Sequence, residues 1–217
     1  MKFKEIYDSL NECVEVKYQN KYCDELKIIS NSKLLKLIDN LKDEVLKEEA
    51  KEAGSLKVAA AIKKILKTKA TASRPILQKA VIRDDKMLFT DGYIAFELDS
   101  KIEGVEIHDV ETEKRYPEFG RLWPECDKSF KLKLSDIIQK AALLKNDDGV
   151  IIKDDEVLKV AVQKKYINIV AAIMKIKKDD DIEFYYTTRN FSGGAYNKPL
   201  IIKNDFGRCL WLPIRTE

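Results

Sequence analysis

The apolar positions follow two periods that alternate along the chain. Leu34, Leu35, Ile38, Leu41, Val45 and Leu46 recur at helical intervals behind Ser32, a candidate N-cap. They predict a helix reaching Ala53, where Gly54 stops it. Ser55 opens a second helix over 56–67, with Val58, Ile62, Ile65 and Leu66 on one side. Its other side carries Lys57, Lys63, Lys64 and Lys67. Phe3, Ile6, Tyr7 and Leu10 suggest a short helix near the start, and 25–29 a strand. After Pro75 the period falls to two. Strands are expected at 76–82, 87–90, 93–98 and 105–110, with Asp84-Asp85-Lys86 and Asp91-Gly92 as turns.

Residues 111–128 are irregular and contain Pro117 and Pro124. A second round brings a short extended stretch at 130–132, a helix over 135–144, a turn at 146–149 and a hairpin of 150–152 with 157–162. A further helix shows Tyr166, Val170 and Ile173 on one face and ends near Asp179-Asp180-Asp181. Strands follow at 182–187, 199–202 and 209–213, around a glycine-containing loop at 190–197. Hairpins joined by single helices predict an α+β fold with the helices on one face of an antiparallel sheet. Units of about 45 residues point to an internally repeated architecture.

The 217 residues suit one large domain or two small ones. A hydrophobic content of 45% supplies a core and excludes a disordered chain. No apolar run approaches the roughly 18 residues of a transmembrane helix. The first five residues return to charge at once, without the apolar centre of a signal peptide. A soluble, cytoplasmic protein with no membrane partner is the expectation. Cys13, Cys23, Cys126 and Cys209 lack C-x-x-C spacing and read as small buried hydrophobes rather than a zinc site or disulfides.

Charge sharpens the picture. The net charge is only +3, yet 53–83 holds no acid. The same stretch contains Lys57, Lys63, Lys64, Lys67, Lys69, Arg74, Lys79 and Arg83. It is either a solvated lysine face or the footprint of a polyanion. A helix that meets only water usually mixes signs along its exposed face. The purely basic face of 56–67 therefore adds weight to an anionic partner.

Catalytic chemistry finds little support. His108 has no fixed Ser or Cys partner, and Ser192-Gly193-Gly194 lacks the Lys-Thr or helix of a phosphate loop. Asp84-Asp85, Asp154-Asp155-Glu156 and Asp179-Asp180-Asp181 sit in expected turns, where Asp bonds its own backbone, rather than in a Mg²⁺ site. Phe184-Tyr185-Tyr186 lies in an expected strand, so one side of it is core rather than a base-stacking platform. No metal, no cofactor and no catalytic residue is expected, and hence no enzyme.

Three stretches, taken in order, resemble the bacterial sliding clamp family, the beta subunit of DNA polymerase III. The first is Arg74-Pro75-Ile76-Leu77-Gln78 followed by Phe89-Thr90-Asp91-Gly92-Tyr93. The second is Tyr116-Pro117-Glu118-Phe119-Gly120-Arg121-Leu122-Trp123-Pro124. The third is Lys198-Pro199-Leu200-Ile201-Ile202 with the terminal Leu210-Trp211-Leu212-Pro213-Ile214-Arg215. The resemblance covers 55–217 as a clamp-like domain and leaves 1–54 as a mostly helical extension. A bacterial clamp subunit has three domains, whereas this chain has room for one full domain, and Ile94 stands where the family usually has arginine. A shortened relative, of phage or mobile-element kind, is what this implies.

In that family helices line a channel around duplex DNA. The resemblance therefore implies a DNA replication accessory protein, a polymerase processivity factor that contacts duplex phosphates through basic helices. The residues that fit are Lys57, Lys63, Lys64, Lys67, Lys69, Arg74, Lys140, Lys145, Lys165 and Lys175. The family also has a hydrophobic pocket for short linear motifs of polymerases and other replication proteins. Its counterparts here are Thr90, Gly92, Tyr93 and Ile94, then Trp123 and Pro124, then Leu212, Pro213, Ile214 and Arg215. Leu212 and Ile214 equally read as the finish of a strand, and Trp123 as core. If the tail serves the pocket, removing 212–217 leaves the fold intact. One clamp domain cannot encircle a duplex, so a channel needs several chains joined through open sheet edges, a homo-oligomer. The alternative is a clamp-fold interaction module that binds a replication protein without encircling DNA.

Overall fold

The computed structural model describes residues 4, 6–8, 31–109, 112, 115–144, 149–153, 159–188 and 198–214. The strand expected at 25–29, the turn residues 146–148 and 154–156, the loop at 190–197, Lys145 and Arg215 lie outside them.

Residues 4 and 6–8 are helical. Helix α1 (Asn31–Glu52) starts one residue before Ser32, which is therefore inside the helix and not its cap. The chain turns at Gly54 (φ 67°) into α2 (Leu56–Leu66). Ser55 sits at the N-cap position of α2 but donates its hydroxyl backwards, to the carbonyls of Ala50 (3.3 Å) and Glu103 (3.1 Å). A short α3 (Lys69–Ala72) is capped by the Thr68 hydroxyl, which accepts from the Thr71 amide. The strand expected over 76–82 is a correction. Pro75 cannot donate to a ladder, and Pro75–Leu77 instead forms a 3-10 turn, leaving only β1 (Val81–Arg83) extended. Asp84 and Asp85 both have positive φ, 50° and 61°, and join β1 to β2 (Lys86–Thr90) in the tight hairpin turn that such a pair allows. Strand β3 (Ile94–Leu98) follows.

The strand expected at 105–110 is a second correction. Ile107 makes a single parallel bridge to Ala80, with the Ala80 amide on the Glu106 carbonyl at 2.9 Å. After a 3-10 turn (Phe119–Arg121) come β4 (Lys128–Lys133), α4 (Leu134–Ala142), the hairpin β5 (Gly149–Lys153) with β6 (Lys159–Gln163), and α5 (Ile167–Ile173) behind a 3-10 turn at Lys164–Tyr166. The chain ends in β7 (Asp181–Tyr186), β8 (Leu200–Asn204) and β9 (Gly207–Trp211).

The main sheet has seven strands, β1-β2-β3-β9-β8-β7-β4, all antiparallel neighbours, and β5-β6 stands as a separate pair. Strand alternation sorts the main sheet into two apolar faces. Phe89, Ile94, Phe96, Phe184, Cys209 and Trp211 face the helices and form the principal core with Ile62, Ile65, Val170 and Ile173. Each such fully buried side chain contributes roughly 1.5–3 kcal/mol. Val81, Leu88, Ala95, Ile201 and Leu210 face the other way, and Leu77, Tyr116 and Phe119 cover them. The irregular 115–127 segment is thus the lid of a second, smaller core.

Helix α1 lies beside α2. A Cβ on Gly104 (φ 81°) would fall 2.3 Å from the Leu46 carbonyl oxygen, so only glycine lets this loop and α1 approach so closely. The two sheet edges are treated differently. Residues 106–108 pair only with Ala80, just before β1, and β4 exposes Lys128, Lys131 and Lys133, which oppose strand-to-strand joining. No helix among the described residues is long and apolar enough to cross a membrane.

Candidate nucleic-acid interface

Helices α2 and α5 pack against each other on the sheet, and α4 packs against α5. Neither α2 nor the stretch Lys164–Ile173 contains an acid. Burial of Val58, Ile62, Ile65 and Leu66 turns the opposite side of α2 outward. That side exposes Lys57 and Lys64, two turns apart and hence about 10 Å along the axis. Neither lysine makes an ion pair among the described residues. Lys165 and Lys175 are exposed at opposite ends of α5, about 15 Å apart if measured along a helix. Lys165 Nζ lies 4.7 Å from the centre of its neighbour Tyr166, and Lys175 Nζ 4.1 Å from that of Phe206. Both cations are steered by ring faces while remaining accessible. Lys140 is exposed on α4 and Lys69 on α3.

The basic face is narrower than the sequence suggests. Lys63 and Lys67 point to α1, where Lys63 Nζ is 2.8 Å from Asp43 Oδ1 and Lys67 Nζ 3.6 Å from Asp43 Oδ2. Burial works against ionisation of Asp43, but Lys63 and Lys67 outweigh it and hold its carboxyl below the ordinary range. The face of α2 taken alone is purely basic, but in the folded chain α1 supplies the missing sign. Arg74 also departs from the helix faces. Its guanidinium sits at the β2–β3 turn, where a Cβ on Gly92 (φ 91°) would come within 3.3 Å of Nη1.

The residues expected to line a peptide pocket are distributed over both faces and one end of the sheet. Thr90 is buried, its hydroxyl donating to the Ile94 carbonyl (2.7 Å) and accepting from the Gly92 amide (2.9 Å). Asp91 is 1% exposed and organises the turn. Its Oδ1 accepts from the amides of Tyr93 (3.0 Å) and Ile94 (3.2 Å), and Tyr166 donates its hydroxyl to Oδ2. Burial, and then the Asp91 carboxyl, raise the Tyr166 phenol far above its ordinary pKa. Ile94 faces the helix-side core. Trp123 packs on the opposite face, with the Arg208 guanidinium 4.2 Å from its ring. Arg208 in turn reaches Glu97 at 2.7 Å, which Lys86 also meets at 2.8 Å. Burial would raise the Glu97 pKa, but these two cations prevail and lower it.

Tyr93 and Leu212 are the pair brought together. The Leu212 amide donates to the Tyr93 carbonyl at 3.0 Å, and the two side chains are 37% and 46% exposed for Leu212 and Tyr93 respectively. The tail then leaves the sheet. The Ile214 amide bonds the Ala161 carbonyl at 2.8 Å, and its side chain lies so close to Gly149 that a Cβ there would be 2.7 Å from Cδ1. The terminal segment is thus tied to the β5–β6 hairpin by one backbone hydrogen bond and by the packing of Ile214 on Gly149. Sequence reasoning missed Asp91 and Tyr166 as a joint between turn and helix, and no local signal links residues 75 positions apart.

No family model matches this chain, and no curated protein matches it. Among solved structures it is similar to the DNA polymerase III beta subunit of Thermotoga maritima, with a TM-score of 0.48 and 12% identity over 74% of this chain. The similarity spans 62% of the Thermotoga chain, less than two thirds of its length.

Proposed function

We propose that the protein is a duplex-DNA-binding accessory protein that meets phosphates, not bases, through the exposed sides of α2 and α5, in the manner of a replication clamp. The observation that carries this reading is the side-by-side placement of two helices without acids, with Lys57 and Lys64 exposed on α2 and Lys165 and Lys175 exposed at the two ends of α5. Lysines suit the task because phosphate contact needs charge at the right depth rather than a hydrogen-bonding code. The role assigned is binding. Encirclement would require several chains, and the lysine-guarded edge of β4 makes that assembly the first thing to measure by light scattering. The direct test is duplex affinity against salt. Four phosphate contacts correspond to a slope of log affinity on log salt of about −3.6. Binding that ignores salt, or no binding at about 50 mM salt, removes the reading.

A second reading has its own observation. Tyr93 and Leu212 form an exposed apolar pair held by a backbone hydrogen bond at the end of β3 and β9. As a docking point for a linear motif of a replication protein, it would work by burying one or two apolar anchors. Tyr93→Asp with Leu212→Asp then abolishes capture of such a partner while duplex affinity stays unchanged. Unchanged capture by the double variant ends this reading.

A further inference from the structure

We propose that Asp43 of α1 is an internal competitor for phosphate, a carboxylate clasp that withholds Lys63 and Lys67 from the anion-binding face. The inference rests on the reading of α2 and α5 as that face. Lys63 on α2 and Lys67 at its C-cap are one turn apart, and each takes one oxygen of the same carboxyl group, at 2.8 and 3.6 Å. Their neighbours Lys57 and Lys64 make no such pair among the described residues. The difference between held and unheld lysines therefore lies in α1 and not in α2.

The clasp is built to be exchanged rather than locked. The side chains of Lys63, Lys67 and Asp43 are 40%, 56% and 31% exposed, so water screens the pairs and a phosphate oxygen can take the place of either carboxylate oxygen. Helix α1 itself is anchored independently. Lys42 reaches Glu106 at 2.5 Å, Ile38, Val45 and Ala50 are buried, and the Gly104 backbone lies against Leu46. Breaking the Asp43 pairs thus frees two lysines without freeing α1. In the clasped state the footprint is the narrow set already described, and in the open state it gains two contacts.

The test compares wild type, Asp43→Asn and Asp39→Asn by fluorescence anisotropy with a duplex of about 20 base pairs across a salt series. Asp39 sits one turn earlier on α1, is exposed, and makes no ion pair among the described residues, so its variant carries the same charge change without opening the clasp. Asp43→Asn is expected to bind about two- to fivefold more tightly at low salt, the range of an exposed ion pair. Its salt slope is expected to steepen by about 0.9 to 1.8, one or two added phosphate contacts. Asp39→Asn is expected to leave the slope unchanged. The gain must vanish when Lys63→Gln and Lys67→Gln are added to Asp43→Asn. Equal slopes for wild type and Asp43→Asn, an equal effect from Asp39→Asn, or a gain that survives the lysine replacements each overturns the clasp. Absence of salt-dependent binding by every variant instead overturns the reading of the face itself.

Discussion

Replacing Lys57, Lys64, Lys165 and Lys175 together by Glu is expected to abolish duplex binding, lowering affinity about 100-fold or more at low salt. All four side chains are exposed, Lys57 and Lys64 on α2 and Lys165 and Lys175 just before and just after α5, so reversal changes the local field without removing a core side chain. Each reversal removes one released counterion and adds one repulsion, and the salt slope should collapse along with the affinity. A charge-matched control is Lys128→Glu, Lys131→Glu, Lys133→Glu and Lys203→Glu, exposed positions on β4 and β8. The control should retain most of the binding, because these four lysines are carried by the strands and not by the α2–α5 layer. Equal loss in both sets would mean that overall charge, and not the helix layer, governs binding. Circular dichroism of both sets should match wild type, since every replaced side chain is exposed and none belongs to either core.

Asp91→Ala is expected to be among the most destabilising single substitutions in the chain. The Asp91 side chain is 1% exposed and satisfies three donors, the amides of Tyr93 and Ile94 and the hydroxyl of Tyr166. Alanine leaves all three donors without an acceptor inside the fold. A buried donor without a partner costs about 1–3 kcal/mol, so a total near 3–5 kcal/mol is expected. That corresponds to a fall in Tm on the order of 10 °C for a chain of this size. Tyr166→Phe removes only one donor and should cost about 1–3 kcal/mol. Urea unfolding of the two variants measures both values, and a loss below about 1 kcal/mol for Asp91→Ala would show that water reaches the turn. The same bond fastens the turn that presents Tyr93 to the 3-10 turn that carries Lys165, so the two candidate surfaces share one joint.

Much of the local structure was legible in the sequence because it is decided by neighbours in the chain. The Asp84-Asp85 turn forms where two residues able to adopt positive φ stand between extended runs, and the structure has φ of 50° and 61° there. The helical period of 56–67 gave α2 to within one residue, and the apolar side of that helix is the side that is buried. The α+β arrangement followed from the alternation of the two periods, and the sheet is antiparallel throughout its main ladder. The 76–82 reading failed for a local reason too. Pro75 has its φ already set for a helical turn, and the chain makes a 3-10 turn over Pro75–Leu77 before β1 begins.

What the sequence by itself determined is therefore where the chain bends, coils and extends, and which side of each element is apolar. Dihedral preferences and periodic burial act over a few residues, and both can be read in a line of letters. Only the tertiary structure decided which charges meet. Asp43 is 20 positions or more from Lys63 and Lys67, and Asp91 is 75 from Tyr166, so no local rule pairs them. It also decided which face of the sheet receives Trp123 and which receives Ile94. The basic helix shows the difference most clearly. Its own sequence gives every polar position the same sign, but a carboxylate brought in by the packing of α1 claims two of its lysines and leaves Lys57 and Lys64 exposed.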